Sequence, residues 1–144
     1  MPFIRVWIHY VWSTKNRTPL LIENFRYPLF EHIKKNALEK NIYLDRINGN
    51  HDHVHCLISL GSDQTIEKIA QLIKGESSFW FNNKSGFKTT KLEWQDDYFA
   101  VSVGESMLDI IRTYIDKQEI HHQKKTFTEE YNEFISKYGF KQFG

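Results

Sequence analysis

Residues 48–60 read Asn-Gly-Asn-His-Asp-His-Val-His-Cys-Leu-Ile-Ser-Leu, a turn sequence that runs directly into an apolar strand. Asn-Gly favours positive φ and predicts a hairpin that pairs the preceding strand antiparallel with the one that follows. Side chains two residues apart leave the same side of a strand. His53 and His55 are therefore expected together on one face, with Val54 and Cys56 on the opposite face, in a core.

Two neutral imidazoles aimed at one point by a rigid strand are typical of a metal site, which then needs a third ligand from elsewhere. His51 has the same strand parity, but it falls in the predicted turn and is a weaker candidate ligand. Asp52 has two open interpretations: it orients a neighbouring histidine from outside the metal shell, or it simply forms the turn.

The rest of the chain predicts strands and helices in alternation around this hairpin. Strands are predicted at residues 4–12, 42–47, 53–60 and 98–103, and helices at 25–40, from Ser62 or Asp63 to about 81, from Ser106 to about 121, and at 129–137 after a Thr128 cap. Between the second helix and the fourth strand, residues 82–97 predict a polar loop anchored by Trp94. The order β-α-β-β-α-β-α-α is typical of an α+β, ferredoxin-like split β-α-β fold. We expect a four-stranded antiparallel sheet with helices mainly on one face, the other face being open to a ligand, plus a C-terminal tyrosine-bearing helix.

Size and composition indicate one ordinary globular domain spanning residues 1–144, with residues 106–144 as its helical tail region. Hydrophobic residues make up 40% and charged residues 26%, and no stretch approaches the length of a membrane span. The first residues lack the organisation of a signal peptide, and the single cysteine, Cys56, can form no internal disulfide. A cytoplasmic location is therefore expected, with Cys56 as a small hydrophobic core residue.

The net charge of +1 argues against general coating of duplex DNA, which needs a large positive field. Local basic clusters remain, among them Lys15 with Arg17. Taken alone, each cluster is best interpreted as solvated surface.

The helix predicted from Ser106 carries Tyr114 and Gln118, four residues apart and so on one helical face. A tyrosine phenol can act as a nucleophile towards phosphorus once its oxygen is oriented and its proton removed. A glutamine carbonyl can serve as a neutral oxygen ligand for a divalent metal. The spacing by itself is weak evidence, because without the histidines a half-buried tyrosine and a solvated glutamine are the ordinary interpretation.

Five short motifs, taken together and in order, resemble the single-tyrosine HUH transposases of bacterial and archaeal insertion sequences and their relatives associated with repetitive palindromes. The resemblance covers most of the chain. The motifs are His-Tyr-Val-Trp-Ser-Thr-Lys-Asn-Arg at 9–17, His-Asp-His-Val-His-Cys-Leu-Ile at 51–58, Ile-Lys-Gly-Glu-Ser-Ser at 73–78, Trp-Gln-Asp-Asp-Tyr-Phe at 94–99 and Tyr-Ile-Asp-Lys-Gln at 114–118.

The resemblance implies a role for each matching residue. His53 and His55 would bind the metal, Gln118 would complete the metal site, and Tyr114 would be the nucleophile. Four further residues would contact DNA: Lys15 and Arg17 in a basic turn, and Lys74 and Ser78 in the lysine-glycine-x-serine-serine stretch.

The implied activity is that of a metal-dependent single-stranded DNA endonuclease and strand transferase, which cuts and rejoins hairpin-flanked ends through a 5′-phosphotyrosine. Magnesium is the expected ion, although two imidazoles intrinsically favour manganese. The implied partners are single-stranded DNA with a hairpin or palindrome and a second copy of the chain, in a homodimer with composite active sites. The residues alone leave open whether Tyr114 and the histidines of one site come from two chains or from one. Two alternatives remain: a domesticated or inactive palindrome-binding module, and an unrelated metal-dependent hydrolase.

Overall fold

The computed structural model describes residues 3–88, 90–118, 129, 132–133 and 136. Between residues 3 and 117 the described residues form four strands, three α-helices and two short 3₁₀ turns. The strands are β1 (Val6–Ser13), β2 (Tyr43–Gly49), β3 (His53–Leu60) and β4 (Phe99–Val103); the α-helices are α1 (Glu23–Glu39), α2 (Ile66–Asn83) and α3 (Leu108–Asp116); the 3₁₀ turns are Lys15–Arg17 and Glu105–Met107. Within these residues, no helix is both long and apolar enough to cross a membrane.

The strands form one antiparallel sheet in the order β2-β3-β1-β4. This is the predicted α+β split β-α-β architecture, with the histidine strand β3 and the first strand β1 at its centre. Along these two strands, Val11 pairs with His55 and Ser13 pairs with His53. The sheet therefore presents the histidines from an interior strand, where both neighbours hold the backbone in place.

One face of the sheet packs against α1 and α2 and contains the main core. Side chains at alternate positions of the central strands, among them Tyr10, Val54 and Cys56, are fully buried there. Removing such side chains from water is the dominant favourable term in folding. The predicted placement of Val54 and Cys56 opposite the histidines is confirmed.

The other face is covered in part by α3, which corrects the expectation of an open ligand-binding face. Trp7 and Leu57 of the sheet pack with Ile111 and Ile115 of α3 in a second, smaller core. The strongly amphipathic sequence of α3 explains this: its apolar residues recur at helical spacing and need a surface to cover them. Helices therefore lie on both faces, and α3 places its polar residues next to the histidines.

The β2–β3 hairpin forms as predicted, but Gly49 plays a different part in it. Gly49 belongs to β2, where it pairs with Val54, and its φ is not positive. The turn is instead made by residues 50–52, with the backbone N–H of Asn50 donating to the carbonyl of His53. A Cβ on Gly49 would collide with that same carbonyl oxygen. Glycine is needed here because two backbones approach closely, not because the chain turns left-handed.

Two predicted helix starts are wrong by a few residues. Thr65, and neither Ser62 nor Asp63, caps α2 by accepting a hydrogen bond from the backbone N–H of Lys68 at 3.1 Å. Ser106 lies in a 3₁₀ turn, and no side chain caps α3. The predicted last helix, and the end of the tyrosine helix near residue 121, lie largely outside the described residues.

Candidate active site

His53 and His55 lie side by side on the α3 face of the sheet and are almost completely buried, with exposures of 0% and 2%. Their ring centroids are 5.0 Å apart. The next residue on that face, Leu57, packs against α3. The two imidazoles therefore leave the strand on the same side, as predicted.

Asp52 orients His53 through the ring nitrogen Nδ1 of that histidine. Its Oδ1 lies 2.8 Å from Nδ1 of His53, and the turn around it is fixed by Asn50, whose side-chain oxygen accepts from the backbone N–H groups of Asp52 and His53. The carboxylate accepts, so Nδ1 carries the hydrogen. Both interpretations of Asp52 hold at once, because it forms the turn with its backbone and orients His53 with its side chain.

Gln118, two residues beyond the end of α3, approaches the same histidine from above the sheet. The amide is fully buried, and its Oε1 lies 3.2 Å from Nε2 of His53. Its Nε2 donates to the carbonyl oxygen of Tyr114 at 3.2 Å, one helical turn earlier. That hydrogen bond determines which end of the amide faces the histidine, and it is the oxygen.

Tyr114 lies against the second histidine, with its ring edge-on to His55 at a centroid distance of 5.7 Å. It is half-buried and also packs beside Val11 and Val101 at the margin of the sheet. The predicted nucleophile and the predicted metal histidines are thus neighbours, as a shared substrate phosphate would require. An unrelated hydrolase with Tyr114 remote from the histidines is not what this geometry favours.

Polar contacts from β2 fix α3 in position on its own chain. Arg112 donates to both carboxylate oxygens of Asp45, at 2.8 and 3.2 Å. The side-chain amide of Asn48 donates to the carbonyl oxygens of Ile115 and Asp116 at the C-terminal end of the helix. Such contacts satisfy carbonyl groups that the helix itself leaves without a partner. One chain therefore brings together all four residues that are predicted for catalysis and metal binding, and a second chain is not needed to assemble them.

A third histidine, His9 of β1, also lies at the site, although the sequence predicts no role for it. It is fully buried, and its Nε2 lies 3.0 Å from Nδ1 of His55. Its ring also meets Tyr114 edge-on at 6.3 Å. The available signal was weak, namely one imidazole in the middle of an otherwise apolar strand, and its importance depends on how β1 aligns with β3.

The side chains around His53 fit a divalent cation. With Nδ1 donating to Asp52, a neutral His53 has its lone pair on Nε2, directed at the oxygen of Gln118, so two acceptors face each other at 3.2 Å. Neighbouring ligands of an octahedral ion with bonds of about 2.1 Å lie about 3.0 Å apart, close to this separation. The described part of the chain has no cluster of three or more histidine, cysteine, aspartate or glutamate side chains arranged for a metal. A metal here would therefore depend on the neutral amide of Gln118.

The predicted basic turn lies at the His53 end of the site. Lys15 and Arg17 form an exposed 3₁₀ turn directly after β1, and the backbone N–H of Thr14 donates to the carbonyl of Asp52 at 2.8 Å. Lys15 also pairs with Glu93 at 3.5 Å, in a contact that is about half exposed. Such an exposed ion pair is weak, so it leaves the lysine able to approach a phosphate.

The other two predicted DNA contacts lie on the far side of the sheet. Lys74 and Ser78 belong to α2 and line a groove against residues 91–98. Nζ of Lys74 donates to the carbonyl oxygens of Gln95 and Asp96, at 2.6 and 2.9 Å. Burial lowers the pKa of Lys74, while the charges of Asp96 and Asp97 oppose that shift. This lysine connects the loop to the helix through two of the three N–H donors of its ammonium group.

Two further sequence interpretations concern residues beside the site. His51 is exposed in the turn, and its backbone carbonyl accepts from Leu21. Cys56 is fully buried on the opposite face, and burial raises the pKa of its thiol. A protonated thiol enclosed in a core is not a nucleophile, so the interpretation of Cys56 as a core residue is confirmed.

Comparison with known proteins agrees with this picture. Residues 3–118 match the family model described as "Transposase IS200 like" (Y1_Tnp). A protein assigned as a transposase, from Deinococcus radiodurans R1, has a similar structure, with a TM-score of 0.66 and 21% identity over 81% of this chain and 93% of that one. A REP-associated tyrosine transposase solved with a REP hairpin has a TM-score of 0.60 and 17% identity over 85% of this chain and 72% of that one. A search of curated protein sequences finds no match. Because the family model covers most of the chain, from β1 to Gln118, this protein belongs to the IS200-like (Y1) transposase family.

Proposed function

We propose that this chain is a metal-dependent single-stranded DNA transposase, with Tyr114 as its nucleophile. Membership of the family supports a DNA-cleaving, DNA-joining activity. The observation that carries the finer proposal is the position of Tyr114 of α3 beside His55, while Gln118, two residues beyond the end of α3, meets His53. A nucleophile and three candidate ligands then surround one small region.

In the proposed cleavage step, the phenolic oxygen of Tyr114 forms a bond to phosphorus and the bond from phosphorus to the 3′ oxygen breaks. The phenol gives up its proton, and the departing 3′ oxygen takes one up. The products are a 5′-phosphotyrosine and a free 3′-hydroxyl. Because the phosphodiester is conserved in the tyrosine link, another 3′-hydroxyl can reverse the step, release Tyr114 and join two strands without a nucleotide triphosphate.

His53, His55 and Gln118 would hold the divalent ion, with magnesium expected and manganese as the alternative. When bound, the ion would polarise a non-bridging oxygen of the scissile phosphate and stabilise the charge that develops there. The chain's own contribution is to orient the three ligands, and the burial of all three keeps bulk water from competing for them.

Hairpin-bearing single-stranded DNA is the substrate that we propose. The support is the structural neighbour solved with a REP hairpin, together with the exposed basic turn, which would bind the phosphates next to the scissile one. The net charge of +1 argues against general coating of DNA and leaves local basic clusters, such as this turn, for contacts to phosphates. We also propose a homodimer and a cytoplasmic location, in association with the nucleoid because the substrate is DNA.

The test is formation of a covalent adduct. Wild-type protein is incubated with a labelled single-stranded hairpin oligonucleotide from the DNA flanking its gene, with magnesium or manganese, and resolved under denaturing conditions. We expect a labelled protein band that requires the ion and disappears in Tyr114→Phe. Tyr43→Phe, at an exposed tyrosine of β2, should retain it. An adduct in Tyr114→Phe would overturn the mechanism, and metal-independent binding without cleavage would identify the inactive binding module.

A further inference from the structure

His9 has a defined relationship to the candidate metal site. In the register of β1 with β3, His9 pairs with Leu57 and the next residue on its face, Val11, pairs with His55. The His9 side chain therefore lies diagonally beside His55 on the α3 face. It is fully buried, so the contact is shielded from solvent.

The contact joins Nε2 of His9 to Nδ1 of His55 at 3.0 Å. One of these nitrogens carries the hydrogen and the other accepts it. If His55 donates, its lone pair is on Nε2. If His9 donates, the lone pair of His55 is used up at Nδ1, and its Nε2 carries a hydrogen that excludes a metal. Only the first arrangement lets His55 act as a metal ligand through Nε2.

His53 is likewise held through Nδ1, at the opposite end of the site. Asp52 accepts from Nδ1 of His53, which puts the His53 lone pair on Nε2, facing Gln118. Each candidate ligand is thus held through Nδ1, His53 by the residue that precedes it and His55 by a residue of the neighbouring strand β1. A partner at the ring nitrogen that does not bind the metal is how proteins fix the orientation and tautomer of metal-binding histidines.

We propose that His9 is a positioning residue for His55: its Nε2 accepts the Nδ1–H of His55 and so fixes the tautomer that presents Nε2 to the metal. The inference rests on the proposed metal site and extends it by one residue. His9 itself is not a ligand in this scheme, because its Nε2 is occupied by His55.

A neutral acceptor suits this position better than a carboxylate would. His9 has no exposed surface, and its face of the sheet also carries Trp7, Val101 and Val103. A charged carboxylate there would lose its hydration at a position with no exposed surface, which is strongly unfavourable. It would also repel the DNA phosphate that Tyr114 must approach. Asp52, by contrast, lies at the edge of the site and is 9% exposed, so a charge is tolerated there.

The proposal is tested with two amides of different length at position 9. The oxygen of a glutamine takes nearly the place of the histidine Nε2, whereas an asparagine reaches only to the place of Nδ1. His9→Gln should therefore keep the acceptor, while His9→Asn and His9→Leu lose it. His32→Gln, at a histidine of α1 that pairs with Glu76, is the control for loss of a histidine elsewhere.

Two measurements on the full chain decide the outcome. Long-range ¹H–¹⁵N spectra of the metal-free protein, at a pH where the imidazoles are neutral, report the tautomer of His55. Calorimetry with Mn²⁺ reports the affinity. We expect the Nδ1–H tautomer of His55 in wild type, in His9→Gln and in His32→Gln, and its loss in His9→Leu and His9→Asn. The last two should bind Mn²⁺ about 10- to 100-fold more weakly.

Failure of this proposal is distinguishable from failure of the metal site. An Nε2–H tautomer of His55 in wild type, or unchanged Mn²⁺ affinity in a folded His9→Asn, would overturn the role of His9. If wild type binds no Mn²⁺, the metal site is wrong, and the tautomer alone then decides whether His9 positions His55. If His9→Leu does not fold, the comparison of His9→Gln with His9→Asn still gives the answer.

Discussion

Oε1 of Gln118 lies 3.2 Å from Nε2 of His53 in the same chain, a contact between residues 65 positions apart in sequence. It connects the tyrosine helix to the histidine strand. The two halves of the candidate site are thus assembled by the packing of α3 on its own sheet. Arg112 and Asn48 add polar contacts that hold this arrangement.

The first prediction concerns whether a site uses one chain or two. We expect that mixing His53→Ala with Tyr114→Phe will not restore adduct formation, because each chain lacks one half of its own site. If the helices were exchanged between protomers, a mixed dimer would contain one intact site and adduct would reappear. The assay is labelled adduct after co-refolding of the two variants, with wild type taken through the same procedure as the control.

The second prediction concerns Asp52. Asp52→Ala should weaken Mn²⁺ binding about 10- to 100-fold, because His53 loses the partner that fixes its ring. The turn should persist, since its bonds use the backbone of Asp52 and the side chain of Asn50. Asp52→Asn should fall between, as its oxygen still accepts without a charge. Asp63→Asn, at an exposed position, serves as the control; equal affinity in wild type and Asp52→Ala would contradict the assignment.

The third prediction compares two glycines. Gly49→Ala should lower the free energy of unfolding by about 1–3 kcal/mol or more, because the new methyl group meets the His53 carbonyl. Gly75→Ala lies inside α2 with open space around it, so it should stabilise the protein by about 0.5–1 kcal/mol. Urea unfolding measures both. A neutral or stabilising Gly49→Ala would show that the hairpin backbones are not in close contact.

The fourth prediction concerns the basic turn. The double variant Lys15→Gln with Arg17→Gln should reduce the dependence of log K on log salt for single-stranded DNA by about 0.7 per lost phosphate contact. Lys35→Gln, exposed on α1, should leave the slope unchanged. Fluorescence anisotropy over a salt series provides the measurement. An unchanged slope in the double variant would place the DNA elsewhere.

The fifth prediction is a loss of stability in alkali caused by Cys56. Burial raises the pKa of this thiol, whereas the unfolded chain exposes a thiol with a pKa of about 8.5. Above that pH the unfolded state releases a proton that the folded state keeps. The free energy of unfolding should therefore fall as pH rises, by up to about 1.4 kcal/mol per pH unit.

The matching variant is Cys56→Ala, which should remove this slope between about pH 9 and 10 in urea unfolding. Tyr10→Phe keeps the thiol and should keep the slope in that interval. Burial also raises the pKa of Tyr10, but its phenol begins to count only near the ordinary tyrosine pKa of about 10. A slope that is the same in Cys56→Ala and wild type would contradict this origin.

The sequence by itself determined the local relationships. The period of two along a strand put His53 and His55 on one face and Cys56 on the other, and the helical period put Tyr114 and Gln118 one turn apart. These follow from backbone geometry within a few residues. The order of strands and helices likewise indicated the split β-α-β architecture, which the structure confirms.

Only the tertiary structure decided which distant residues meet. The pairing register of β1 with β3 brings His9 to His55, and docking of α3 brings Gln118 to His53 in the same chain. Lys74 donates hydrogen bonds to carbonyl groups of the loop after α2, which are about twenty residues away in sequence. Such contacts depend on how whole elements pack to bury their apolar faces, and no pattern within a single segment encodes that packing.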